Sequence, residues 1–245
     1  MRAAVENLRN CATNRQRVTD AIVNRSGKRR LGRAAALALS AFVLFGQDAR
    51  ALTITSPDQD YTITEPIAPP SPTPVNITAK SVTATDFVLN DSHLIQTLGS
   101  DVNTSDAPVS ITADTITVSN NYAKSTSALE PWHPLILAHG DTTLTAKEIT
   151  VDNNQSAGVF YALRATLSVS ADTISAKGNG GDPYITYAVF SNPQGVDGGL
   201  TITARELISD GNMRLIYGST VTVSADHITI KNNYNKYGGG GDHRR

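Results

Sequence analysis

Apolar side chains recur through residues 75–233 in one pattern that is written six times. The copies read VNITAKSVTATDF (75–87), VSITADTITVSNN (109–121), TTLTAKEITVDNN (142–154), LSVSADTISAKGN (167–179), LTITARELISDGN (200–212) and VTVSADHITIKNN (221–233). Counted from the shared alanines Ala79, Ala113, Ala146, Ala171, Ala204 and Ala225, the second residue before is always aliphatic: Ile77, Ile111, Leu144, Val169, Ile202 and Val223. The fourth before is Val or Leu except at Thr142, and the residue between the two is Asn, Ser or Thr. Period two puts the aliphatic residues on one face of an extended strand and the polar ones on the other. Three residues after the alanine, Val82, Ile116, Ile149, Ile174, Leu207 and Ile228 resume the apolar phase one position late. That shift predicts a corner followed by a second short strand.

Most copies close on residues that tolerate left-handed backbone, Asn120-Asn121, Asn153-Asn154, Gly178-Asn179, Gly211-Asn212 and Asn232-Asn233, whereas the first, Asp86-Phe87, departs. A third apolar run follows five copies, HLIQTL (93–98), HPLILA (133–138), GVFYAL (158–163), ITYAVF (185–190) and MRLIYG (213–218). The alanines are spaced by 34, 33, 25, 33 and 21 residues, within the roughly 20–50 of solenoid repeats. Strand segments hold their length while the links vary, as loops outside a stack do. The expected fold is all-β, a right-handed parallel β-helix of about six rungs preceded by a signal peptide. In such a stack the residues after the alanines, Lys80, Asp114, Lys147, Asp172, Arg205 and Asp226, would place opposite charges on adjacent rungs. Thr83, Thr117, Thr150, Ser175 and Thr229, together with the asparagines, would form polar ladders.

Residues 1–51 read as a signal peptide with an extended n-region. Lys28, Arg29, Arg30 and Arg33 precede an apolar run over 34–45, and Ala49-Arg50-Ala51 has the small-x-small form of a cleavage site. The run has 12 residues, fewer than the roughly 20 of a spanning helix; a buried or anchoring helix is the alternative. The polar stretch before it is either an extended signal or the product of a wrongly chosen start codon. Without this leader the chain keeps 11 basic and 19 acidic residues, net −8, and loses its only cysteine, Cys11. Such a balance argues against nucleic acid or an anionic membrane surface as partner, and a cysteine-free remainder suits export in the unfolded state. Residues 52–74 are expected to be a cap and Pro-rich link: alternating segments at 52–55 and 61–64, forming a hairpin or a first partial rung, then five prolines in 66–74. After the last copy a Gly-rich tail, 234–245, carries no further apolar run, so either a partner covers this edge or the chain is a fragment of a longer product.

Candidate chemistry is sparse. Acid–base cleavage of a sugar chain needs grouped carboxylates, and the candidates are the column Asp114, Asp172 and Asp226, interrupted by Lys147 and Arg205, and the pair Asp152 with Asp210 one position further along its own copy. His93, His133, His139, His227 and His243 have no metal-ligand spacing, and no nucleophile-elbow, Walker or dinucleotide pattern is present. The sequence therefore assigns no catalytic residue, metal ligand or cofactor. Trp132, the one tryptophan, lies in EPWHP between two prolines; it is the candidate ligand contact, unless it packs on the coil.

The Ser/Thr/Asn-rich repeats of the form ITADTITVSNN over 75–233, on an acidic, cysteine-free chain behind a leader, resemble the passenger domains of bacterial autotransporters, the pertactin-like β-helices. The resemblance implies export to the cell surface, outer membrane or medium, an adhesin-like rather than enzymatic role, and host protein or glycan as partner. It also implies a C-terminal translocator barrel, which would have to be encoded elsewhere. The alternatives are a polysaccharide-cleaving β-helix enzyme and a non-functional truncated remnant.

Overall fold

β-Branched residues alternating with Ser and Thr favour extended backbone, because a pleated strand accommodates their stiff side chains and separates a dry face from a wet one. In the computed structural model every copy of the repeat is extended; the residues described are 51–100, 104, 106–124, 133–180, 188–192 and 199–234. The chain divides into the units Met1–Ser40 and Ala41–Arg245. The first, and residues 41–50 of the second, lie outside the described residues, and with them all but the last residue of the expected signal peptide.

The first half contains β1 (Leu52–Thr62), β2 (Val75–Thr85), β3 (Val88–Asn90), β4 (Ile95–Thr97), β5 (Asp106–Ala107), β6 (Val109–Thr112), β7 (Thr115–Ser119) and β8 (Tyr122–Lys124). There follow β9 (Ile136–Gly140), β10 (Thr142–Thr145), β11 (Glu148–Asp152), β12 (Phe160–Ala162), β13 (Leu167–Lys177), β14 (Phe190–Asn192), β15 (Leu200–Asp210), β16 (Ile216–Gly218) and β17 (Val221–Lys231). The described residues contain no helix, and all these strands pair in parallel except β5, which runs antiparallel to β9.

Register follows the alignment on the alanines. Ile77 lies beside Ile111, then Leu144, Val169, Ile202 and Val223. On the far side of the corner Val82 is followed by Ile116, Ile149, Ile174, Leu207 and Ile228. β2 and β13 run unbroken through the corner, while the two copies between them break there into β6 and β7, and β10 and β11. Six strands, β2, β6, β10, β13, β11 and β7, therefore close a ring of pairings. The described parts of the third apolar runs, residues 185–187 lying outside them, contribute to a second sheet, in which Ile95, Ile136, Phe160, Phe190 and Ile216 stand in one column. The inward residues of both sheets form one apolar cluster, with Phe160 and Phe190 stacked at 5.5 Å. Thr142, the polar exception, is buried in its column, its hydroxyl toward the Gly140 carbonyl at 3.5 Å.

Two expectations are refined. Residues 52–74 are a partial layer and not a hairpin: β1 lies parallel to β2, Ile54 beside Ile77, and Ile67 within the Pro-rich link bridges to Ile95 as a return strand would. The first copy does not depart at its turn. Asp86 has φ 62°, matching Asn120, Asn153, Gly178, Gly211 and Asn232 at 54–65°, because Asp, like Asn, tolerates the left-handed region.

Candidate functional site

The wet face of the first sheet is a regular polar surface that recurs in every copy. One outward column runs Asn76, Ser110, Thr143, Ser168, Thr201 and Thr222, and a second, two residues along each strand, runs Thr78, Thr112, Thr145, Ser170, Thr203 and Ser224. The aliphatic residue between each pair points inward, so both columns face solvent, half-buried or exposed. Parallel pairing spaces the hydroxyls about 4.8 Å apart up a column, and the pleat spaces the columns about 6.6 Å apart. The second column escaped the sequence reading, although its Ser and Thr in all six copies were the signal for it.

Carboxylates on the outer corner are separated by cations. Lys147 Nζ lies 2.9 Å from Asp114 Oδ1, both side chains exposed. The other adjacent charges in that column do not close ion pairs among the described residues, although their backbones stack, the Asp114 N–H donating to the Lys80 carbonyl at 2.8 Å. Asp172 and Asp226 are thus not brought together with Asp114.

Asp152 and Asp210 are not offset as expected. Both align with Lys177, Asp152 from one side and Asp210 from the other, and Asp210 aligns next with Lys231. The four form an alternating acid–base column, in which Lys231 Nζ lies 3.4 Å from Asp210 Oδ2 and Asn232 Nδ2 donates to Asp210 Oδ1 at 2.8 Å. The Asn232 hydrogen bond, aided by Lys231, holds the Asp210 carboxyl below its ordinary pKa. Burial pushes Asp152 above its own, against the pull of Lys177.

Histidines that looked unrelated in sequence meet at the start of the second sheet. His93 is buried, its Nδ1 2.6 Å from the Pro134 carbonyl, and its ring lies 5.3 Å from that of His133. His133 Nε2 stands 3.7 Å from Asp91 Oδ1. Burial lowers the pKa of His93, partly offset by the bond to Pro134, so the ring is held neutral. His139, in β9, is lowered by burial and by Arg164, and His227 is exposed on β17. Among the described residues no group of three His, Cys, Asp or Glu is placed to hold a metal. Trp132 and His243 lie outside the described residues.

A further regular polar element is buried. Asn121, Asn154, Asn179 and Asn212 follow the left-handed turn residues, which swing their side chains into the core. Each Oδ1 from Asn154 to Asn212 accepts both the backbone N–H and the Nδ2 of the preceding asparagine, at 2.8–3.1 Å. Each Nδ2 also donates to a carbonyl of the preceding layer, those of Ala84, Val118, Val151 and Ala176. Asn154 and Asn179 thereby satisfy both donors and both acceptor positions, which makes burial of a primary amide affordable. This ladder is scaffold, not a site.

Compared with family models, with curated proteins and with solved structures, the chain gives no match in any of the three.

Proposed function

We propose that the chain is an exported, surface-displayed binding scaffold: a right-handed parallel β-helix of about six rungs whose hydroxyl-covered sheet face contacts glycan or host protein, as in the autotransporter passengers its repeats resemble. The observation that carries this reading is the pair of outward columns, Ser or Thr at every position but Asn76, held in register on the wet face of six copies. A flat lattice of hydroxyls offers donors and acceptors at a fixed repeat, which suits a ligand that itself repeats, such as a polysaccharide or an extended peptide. The carboxylates that could have served sugar cleavage alternate with lysines and Arg205 instead of facing one another. The acidic balance of residues 52–245 favours neutral or basic ligands over nucleic acid and anionic membranes. Export begins with the leader.

The test is binding of the full chain to immobilised polysaccharides and extracellular matrix proteins, beside the double variant Ser168→Arg/Thr201→Arg at the centre of the outer face. Binding is expected to weaken at least tenfold with the thermal midpoint kept. Equal binding by the variant, or release of new reducing ends from any polysaccharide, removes the reading. Cell fractionation tests the export step, and a tagged chain confined to the cytoplasm would remove that part.

A further inference from the structure

β17 takes part in the first sheet through β15 alone, and no described strand lies on its other side. Its inward columns, buried in other layers, stand open here: Val221 is 43 % exposed, Val223 37 %, Ile228 52 % and Ile230 63 %. A regular, unpaired edge of this kind is a template for pairing with another strand.

The order of its residues selects the partner. Because the apolar phase shifts by one at the corner, the inward positions 221, 223, 228 and 230 are symmetric about the point between Ala225 and Asp226. The backbone has the same symmetry. Leu200, beneath Val221, donates its N–H upward to the Thr220 carbonyl, and Gly211, beneath Asn232, donates upward to that of Lys231. Alternation along each arm then turns the N–H and C=O of Val221, Val223, Ile228 and Ile230 to the open edge. An antiparallel copy of β17 related by a two-fold axis at the corner therefore sets Val221 opposite Ile230 and Val223 opposite Ile228. Every such pair is apolar, inward and hydrogen-bonded, about eight backbone bonds in all.

We propose that β17 is an isologous interface through which two copies of this chain associate, their sheets continuing across the two-fold. Such an interface closes on itself and does not grow. The opposite edge, β1, cannot take that partner role: Pro57 interrupts it and its register slips between Ser56 and Asp60. One feature opposes the contact. Asp226 and its symmetry mate flank the axis, and these like charges on diagonal neighbours repel.

In this register the outward residues Thr222 and Thr229 of the two copies are opposite, a non-hydrogen-bonded pair whose Cβ atoms are close enough for a disulfide. The test uses the full chain with Cys11→Ser, carrying Thr222→Cys and Thr229→Cys together or singly, oxidised with copper–phenanthroline. The double variant is expected to give a covalent dimer on a non-reducing gel, and each single variant to give none. In sedimentation velocity, Asp226→Asn should tighten the dimer at least threefold and Ile228→Lys should yield monomer with an unchanged strand spectrum. A wild-type chain that stays monomeric at about 100 μM overturns the proposal, as does cross-linking by a single cysteine or a dimer that ignores Asp226→Asn.

Discussion

β1 and β17 occupy the two open edges of the same sheet and descend from the same column pattern, yet they treat their edges in opposite ways. In β1 the strand carries Pro57, slips register between Ser56 and Asp60, and ties the displaced Asp60 to the Ser81 hydroxyl at 2.7 Å, while Ile54 and Ile63 remain buried. Proline, a bulge and inserted charge are the usual means of making an edge unfit for pairing. β17 has neither proline nor register slip over its 11 residues, and four aliphatic side chains stand open on it. The columns specify which residues face inward; the next layer decides whether facing inward means being buried.

The largest expected effect compares one column in two layers. Ile149 is fully buried and Ile228, three layers later in the same column, is 52 % exposed. Ile149→Asp should cost several kcal/mol, since a carboxylate would enter an apolar stack without a partner. Ile228→Asp should cost about 1 kcal/mol or less. Urea midpoints that fall equally would show that the end layer is covered after all. Thr150→Asp, beside Ile149 on the wet face, should also cost under about 1 kcal/mol.

Second in size is the asparagine ladder. Asn154→Ala removes the acceptor of the Asn121 backbone N–H and of one Asn121 Nδ2 hydrogen and the side-chain donor to the Val118 carbonyl, and leaves the Asn179 carboxamide oxygen with only the backbone N–H of residue 154, for an expected loss of about 2–4 kcal/mol. Asn233→Ala removes bonds to the Asn212 N–H and the Ser209 hydroxyl at a half-buried site, where water can substitute and the loss should be about 1 kcal/mol or less. Similar losses in chemical denaturation would mean that the ladder is as dry at the end as in the middle.

Positions sampled six times in sequence were legible because each column can be checked against five others. The inward aliphatics, the corner and the third strand all follow from that redundancy. What depended on side-chain direction after a left-handed residue was not legible: the asparagines read as turn formers, and only the φ near 55–65° of the preceding residue shows why they point into the core. The acid–base column was legible, since Asp152, Lys177, Asp210 and Lys231 each stand sixth after the alanine of their copy, so the one-position offset expected of Asp210 does not exist. His93 and His133 lie in links of unequal length, where no repeat supplies a register, so their approach to 5.3 Å had no sequence signal. The candidate contact Trp132 falls outside the described residues.

A smaller effect appears on changing pH. Burial holds His93 and His139 below the ordinary histidine value, so the fold favours their neutral forms. Their contribution is complete above the unfolded pKa of about 6.5 and is lost as pH falls from there through the folded values. Stability should therefore drop between pH 7.5 and 5.5, and His93→Gln should flatten the drop. Asp152, raised by burial, acts in the opposite sense at lower pH, which is why the window stops at 5.5. A slope indifferent to His93→Gln would remove the buried imidazole as its source.

The smallest expected change in stability tests the guarded edge. Between Ser56 and Asp60 β1 has three residues where β2 has only Lys80 between Ala79 and Ser81. Deleting Pro57 and Asp58 would let β1 run in step with β2, shifting the folding free energy by about 1 kcal/mol or less, since the residues removed are exposed. The consequence lies in association. With both edges regular, β17 of one copy can stack in parallel on β1 of the next, a head-to-tail contact that does not close. Light scattering of the deletion variant should rise with time where the parent chain holds steady, and adding Ile228→Lys should abolish the rise by disabling the other edge. Growth that survives Ile228→Lys would show that β17 is not the surface being met, and a deletion variant that never grows would show that Pro57 and the bulge do not guard β1.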